Sequence, residues 1–258
     1  MATRTARSAA PLEAFVLHRY DWSESSLILD LFTREQGRLA VAAKGAKRPT
    51  SQLRSVLLPF QRVNITLGRV PASESEMPEV QTLRGAEWAG GAPMLRGAAM
   101  FSGFYLNELL MKLLARHDPH AGVFDAYVAT LPALSGDELQ SQSALRAFEL
   151  VLLRETGVLP ELGLMTQTQQ PLREDGRYAL LAEAGVVPAP DPGQAFDGTA
   201  LVRLQAALEH GSIDALQQAC SAALPALRPS LRAYLHYHLG SASLRTRQVM
   251  REVQQLID

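Results

Sequence analysis

The sequence predicts an α+β protein, a small all-β domain followed by an all-helical one. Three observations carry that prediction. The first 84 residues break into short segments with period-two patterning. The texture changes after the stretch Ala89-Gly-Gly-Ala-Pro93. From there to the C-terminus the apolar residues recur at helical spacing.

Five strands are expected. "EAFVLHRY" (13–20) alternates and is rich in Phe, Val and Leu. "SSLILDLFT" (25–33) follows a turn-like "DWSE". "GRLAVAAK" (37–44) follows "REQG", whose Gly37 suits a hairpin. In "FQRVNITLG" (60–68), Val63, Ile65 and Leu67 point one way while Arg62, Asn64 and Thr66 point the other. "EVQTLRG" (79–85) is the fifth. Such a set closes into a small barrel or stacks as a sandwich. The longest gap, 45–58, falls between the third and fourth strands, where a five-stranded oligonucleotide-binding (OB) barrel inserts a helix or long loop. "SQLRSVLLP" supplies a turn or two of helix there. Phe15, Phe32 and Phe60 are expected in the core. Tyr20 and Trp22 either plug the barrel end or stand free to stack.

In the second part, Pro93 suits a first helical turn. "MLRGAAMFSGFYLNELLMKLLARHD" (94–118) is apolar on nearly every side and reads as a buried helix. A second helix covers 120–134. Ser135-Gly-Asp-Glu138 matches a capping box, which makes Ser135 the expected start of the third, 138–157, ended by Gly157. Residues 158–196, rich in Pro and Gly, read as an irregular or lightly paired connection. Helices resume at 199–209, 212–223, 230–239 and 244–257, with Pro229 and Gly240 as punctuation. The expected organisation is a flexible tail (1–12), a barrel domain (13–85) and a helical domain (93–258).

Composition narrows the class. The chain has 258 residues, 47% hydrophobic and 20% charged, as a soluble globular protein does. No apolar run reaches the roughly 20 residues of a bilayer span, so no membrane association is expected. The start, "MATRTARSAAP", lacks the apolar segment of a secretory signal. A single cysteine, Cys220, excludes an internal disulfide and any multi-cysteine zinc site. It reads as a buried, inert thiol in a reducing cytoplasm. No nucleophile elbow, phosphate loop or dinucleotide turn is present. His236 and His238, two apart on a helix, face different ways, and His117 and His120 flank a helix junction where capping is the ordinary role. No catalytic residue, metal site or cofactor is therefore expected.

Charge is informative only by its distribution. The totals balance, 25 Lys+Arg against 26 Asp+Glu. Yet between Glu35 and Glu74 no acid occurs, while Arg38, Lys44, Lys47, Arg48, Arg54, Arg62 and Arg69 do. A second acid-free zone between Asp214 and Glu252 holds Arg228, Arg232, Arg245, Arg247 and Arg251. Residues 85–214 carry 16 acids and 8 bases. Two cationic zones around an acidic middle fit a polyanion partner, or else two solvated basic surfaces. In the first case the cations work by releasing phosphate counterions, which neighbouring acids would oppose. Gly45 and Pro49 keep "AAKGAKRPTSQLR" (42–54) out of regular structure, free to follow a strand. The expected mode is electrostatic and blind to sequence.

The runs "AFVLHRYDWSESSLILDLFTREQGRLAVAAKGAKR", "LPFQRVNITLGR", "EVQTLRGAE", "FYLNELL", "ALRAFELVLL" and "HLGSASLRTRQV", in this order, resemble the RecO family of bacterial DNA repair proteins from Ala14 onward. The resemblance implies an N-terminal OB fold, a helical C-terminal domain and a recombination mediator rather than an enzyme. It implies binding to single- and double-stranded DNA and annealing of complementary strands. It also implies engagement of the single-stranded-DNA-binding protein through that protein's acidic C-terminal tail. With RecR, such proteins help load RecA onto covered strands, in the bacterial cytoplasm at the nucleoid. Some members carry a four-cysteine zinc site in the irregular segment. Here "ELGLMTQTQQPLREDGRY" has no cysteine, so the chain resembles the zinc-free branch. Arg146, beside an apolar helix face, is the implied contact for the partner's tail; otherwise it is an ordinary exposed cation. Arg38, Lys44, Lys47, Arg48, Arg54, Arg62, Arg69, Arg245, Arg247 and Arg251 are the expected DNA contacts. The alternative is an adaptor that reaches DNA only through partners.

Overall fold

In the computed structural model, the described residues are 10–68, 78–91, 94–190 and 195–240, with 244–246, 248, 249 and 252 near the C-terminus. Five strands form a closed barrel: β1 (Leu12–Asp21), β2 (Leu27–Thr33), β3 (Gly37–Ala43), β4 (Arg62–Leu67) and β5 (Val80–Trp88). Their order is β1-β2-β3-β5-β4, and β1 closes on β4. β3 and β5 run parallel; every other pair is antiparallel. A four-residue helix, α1 (Leu53–Val56), lies between β3 and β4. This is the OB arrangement the sequence predicts, with the insertion in the expected gap.

Alternation sorts the strands' side chains. Val16, Leu29, Leu31, Leu39, Val41, Val63, Ile65 and Leu83 fill the barrel. Phe15 and Phe32 are buried too, but on the outer face, where both rings pack at 5.5 Å against Phe124. Residues Leu114–Phe124 belong with the barrel in one compact unit. The fit is tight at Gly37, whose φ is +66° and where a Cβ would lie 2.0 Å from the Asp118 carbonyl oxygen. The amide of His117 donates to the Arg38 carbonyl at 2.9 Å.

The second unit comprises Leu95–Leu113 and the described residues from Asp125 onward. Its elements are α2 (Ala98–Leu113), α3 (Ala121–Ala133), whose first turn belongs to the barrel unit, and α4 (Glu138–Glu155), then α5 (Gly198–His210) and α6 (Ile213–Leu239). Residues from Ser143 to Leu153 of α4 are almost all buried. The Tyr127 hydroxyl donates to Asn107 at 2.6 Å and its ring lies 6.1 Å from Phe148. Burial pushes the Tyr127 phenol far up, so it stays a neutral donor.

Two expectations change here, and of the two readings of 158–196 the lightly paired one holds. The α4 cap is Asp137, which accepts from the Gln140 amide at 2.8 Å. Ser135 instead donates its amide to Pro132 in the turn closing α3, so it is not placed to cap. Gly157 does end the helix: its amide reaches Arg154 and that of Val158 reaches Leu153, a Schellman closure. The segment 158–196 contains a three-stranded sheet, β7 (Gly185–Pro188), β6 (Arg177–Leu181) and β8 (Phe196–Asp197) in that order. The helices expected at 212–223 and 230–239 are one helix, α6, running through Pro225 and Pro229. A proline removes one ladder bond. The unbroken buried stripe Leu216, Cys220, Ala223, Leu227, Leu231 and Tyr234 holds the axis together across both. Most of the helix expected at 244–257 and most of the 1–12 tail lie outside the described residues.

Candidate nucleic-acid interface

At the end of the barrel where β1 finishes and β3 begins its long connection, two loops are fastened together. The Lys47 amide donates to the Ser25 carbonyl at 2.9 Å, and the Gly45 amide to the Ser26 hydroxyl at 3.3 Å. The Lys47 ammonium reaches the Ser23 carbonyl at 3.1 Å and the Asp21 carboxylate at 3.0 Å. Gly45 adopts φ +74°, the left-handed conformation that this turn needs. Lys44, Arg48 and Arg54 are exposed, and among the described residues none of the three makes an ion pair. Beside them a cavity of about 420 Å3 opens into the barrel mouth. It is lined by the apolar Leu27, Leu53 and Leu57 and by the charged Arg19, Lys47, Arg54 and Asp21.

Arg19 is the site residue that sequence reasoning missed. It lies between Glu13 and Asp21, outside the acid-free window. Pairing with Leu29, an interior residue, turns it toward the barrel mouth, and its guanidinium donates to the Leu57 carbonyl at 3.4 Å. The register shift between Val16 and His18 is what turns it inward; unbroken alternation from Phe15 and Leu17 would have put it on the outer face, so the sequence carried no signal for it.

The remaining candidates separate. Arg38 is only 8% exposed. It donates to Asp30 at 3.1 Å and to the Leu114 carbonyl at 2.8 Å, beneath the segment that covers the outer face. So enclosed and paired, its guanidinium is not presented to solvent as the expected DNA contact would require. Arg62 is paired with Glu13 across the β1–β4 seam. Its register places it opposite Phe15, while the loop cluster sits near Asp21. Six strand residues separate the two levels, about 20 Å. The acid-free stretch in the chain is therefore not acid-free in space. Arg69 lies outside the described residues, as do Arg247 and Arg251. Arg245 is exposed in the helical unit, where its amide donates to Glu108 at 2.9 Å.

Arg146 does not stand at the edge of an open groove. It is 5% exposed and pairs with the fully buried Glu149 at 2.8 Å. Glu149 also accepts from the Tyr105 hydroxyl at 2.6 Å. A guanidinium so enclosed orders the helical core and offers nothing to a docking peptide, so the direct tail contact assigned to it is withdrawn. Cys220 is buried close to this pair, and its thiol is pushed up chiefly by desolvation. Tyr20 and Trp22 are 46% and 57% exposed, so of the two alternatives they do not plug the barrel end. Among the described residues no three His, Cys, Asp or Glu side chains gather as a metal site, and no helix is long and apolar enough to cross a membrane.

The fold and this cationic loop pair define the class: an α+β protein with an OB-type barrel and a helical second unit. The family model described as Recombination protein O N terminal matches residues 10–87, and that described as Recombination protein O C terminal matches residues 94–248. The chain is 47% identical over 253 residues to the DNA repair protein RecO of Variovorax paradoxus, covering 94% of this chain and 96% of the relative. It is 49% identical over 246 residues to that of Polaromonas sp. strain JS666, with the same coverage of both chains. It is 47% identical over 263 residues to that of Delftia acidovorans, covering 98% and 99%. The chain belongs to the RecO family of DNA repair proteins.

Proposed function

We propose that this protein is a recombination mediator that binds single- and double-stranded DNA through the sugar–phosphate backbone and anneals complementary strands. Annealing needs two strands held without prior commitment to sequence, and flexible cations supply that. The observation that carries the reading is the exposed trio Lys44, Arg48 and Arg54 beside Arg19 and Lys47, on a loop fastened to the barrel. Family membership supports the remaining steps. The protein engages the acidic tail of the single-stranded-DNA-binding protein through its helical unit. With RecR it helps load RecA onto the uncovered strand, in the cytoplasm at the nucleoid. It does this without an active-site nucleophile, cofactor or metal.

The experiment is a titration of the purified protein against bare labelled single strands, followed by an annealing assay. Saturable binding that weakens with salt, lost together with annealing in Lys44→Glu/Arg48→Glu/Arg54→Glu, is the expected result. Absence of binding to bare DNA at low salt would favour the adaptor instead.

A further inference from the structure

Two large aromatic rings stand in solvent next to the cationic loops, and the charge chemistry has no use for them. Trp22 opens the β1–β2 loop, and its amide is held by the Ser26 carbonyl at 3.3 Å. The next residue, Ser23, is the one the Lys47 ammonium grips. Tyr20 sits two residues back on β1. Arg19 and Asp21 turn toward the barrel mouth, so alternation puts Tyr20 on the outer face. His18 shares that face and packs edge-on against the Tyr20 ring at 4.4 Å. The other half of the outer face, around Phe15 and Phe32, is closed by Phe124. Among the described residues Tyr20 and Trp22, at the other end, stay exposed.

We infer that Tyr20 and Trp22 form a base-stacking platform that makes this interface favour unpaired over paired DNA. The inference rests on the proposed DNA-binding role and adds to it. Phosphates on Lys44, Lys47 and Arg48 would bring the sugars, and thus the bases, alongside the rings. A duplex keeps its bases stacked on one another and presents phosphates only, so it gains nothing from the rings. An unpaired strand offers π-faces of any base, and stacking is sequence-tolerant. The platform therefore discriminates strand state without reading sequence. Asp21 sharpens this by holding Lys47 at 3.0 Å, which weakens the purely electrostatic contribution that both forms of DNA share.

The test compares the full-length wild type with Tyr20→Ala/Trp22→Ala on three probes at one salt concentration: a short oligothymidine, an abasic strand of equal length and charge, and a blunt duplex. Both rings are exposed, and unchanged thermal melting checks that the variant keeps its fold. The expected result is a loss of about tenfold on oligothymidine, with duplex and abasic affinities unchanged. Trp22→Phe should keep most of the affinity. In a Trp88→Phe background, Trp22 emission should be quenched by oligothymidine and not by duplex. Equal wild-type affinity for oligothymidine and the abasic strand overturns the platform. So does an equal loss on single strand and duplex in the alanine variant. If Lys44→Glu/Arg48→Glu/Arg54→Glu still weakens every probe, the cationic reading survives that failure. No binding of wild type to any probe would end both.

Discussion

Lys47, on the loop on which the DNA-binding proposal rests, is held by the Asp21 carboxylate at 3.0 Å. Asp21 is 80% exposed at its side chain, so the pair lies in high dielectric and a phosphate can displace the carboxylate. The displaced acid must then take up a cation, which offsets part of the counterion release. Asp21→Asn should therefore bind single strands about threefold more tightly at low salt, within the range of an exposed ion pair. Its log K against log salt should be the steeper. Unchanged affinity and slope would mean that Lys47 does not meet phosphate.

The slope itself counts contacts. If Arg19, Lys44, Lys47, Arg48 and Arg54 all neutralise phosphates of a single strand, it should be about −3.5. Reversing Lys44, Arg48 and Arg54 should flatten it by about 2 and abolish annealing. Arg62→Glu, placed at the other level of the barrel, should leave it alone. A slope lost equally through Arg62→Glu would restore a wider track.

Much of this fold was legible because period-two alternation and turn residues are local properties. All five strands fall where the pattern places them, and Gly157 closes its helix as expected. What stayed hidden depends on residues distant in sequence. Asp30 and Arg38 meet across a strand pair, Glu13 and Arg62 across the barrel seam, and Arg38 is further covered by a segment some 76 positions later. A linear charge count cannot see such partners. Arg146 misled for a related reason: on a helix buried on most sides, a cation beside apolar residues points into the core with Glu149 three residues on. Pro229 misled because a stripe of buried side chains outweighed one missing hydrogen bond.

The outer-face lock should be a stability element and not a DNA element. Among the described residues, Arg38→Ala leaves the buried Asp30 with only Arg116, at 3.5 Å, and should lower the unfolding free energy by about 3 kcal/mol in urea denaturation. Gly37→Ala meets a backbone carbonyl in a left-handed conformation and should cost at least about 2 kcal/mol. Folded Arg38→Ala protein should bind single strands with wild-type affinity. A selective loss of DNA binding at unchanged stability would reinstate Arg38 as a contact.

Arg146→Ala is expected to destabilise the helical unit by about 3 kcal/mol or more, because it strands the charge of Glu149 in the core. The double substitution Arg146→Met/Glu149→Leu should recover most of that loss. If the double variant regains stability and still binds an acidic, apolar-ended peptide, the tail site lies elsewhere. Loss of peptide binding in that stable variant would return Arg146 to the contact set.

Glu108 ties the start of the C-terminal stretch to α2. Its carboxylate accepts from the Arg245 amide at 2.9 Å, the Thr246 amide at 2.9 Å and the Thr246 hydroxyl at 2.6 Å. Burial by itself would raise its pKa. The Thr246 and Arg245 bonds, together with Lys112, outweigh burial and hold it below the ordinary 4.5. A carboxyl that is more acidic folded than unfolded contributes its stability in full above the unfolded pKa, and loses it as pH falls through the folded one. Wild-type unfolding free energy should thus drop on acidification below about pH 4.5. In Glu108→Gln the value at neutral pH should already be lower and that share of the acid dependence missing. Amide exchange would locate the effect: at neutral pH the Arg245 and Thr246 amides should exchange faster in Glu108→Gln than in wild type. Equal protection in the two proteins would show that the carboxylate's charge does not anchor this end of the chain.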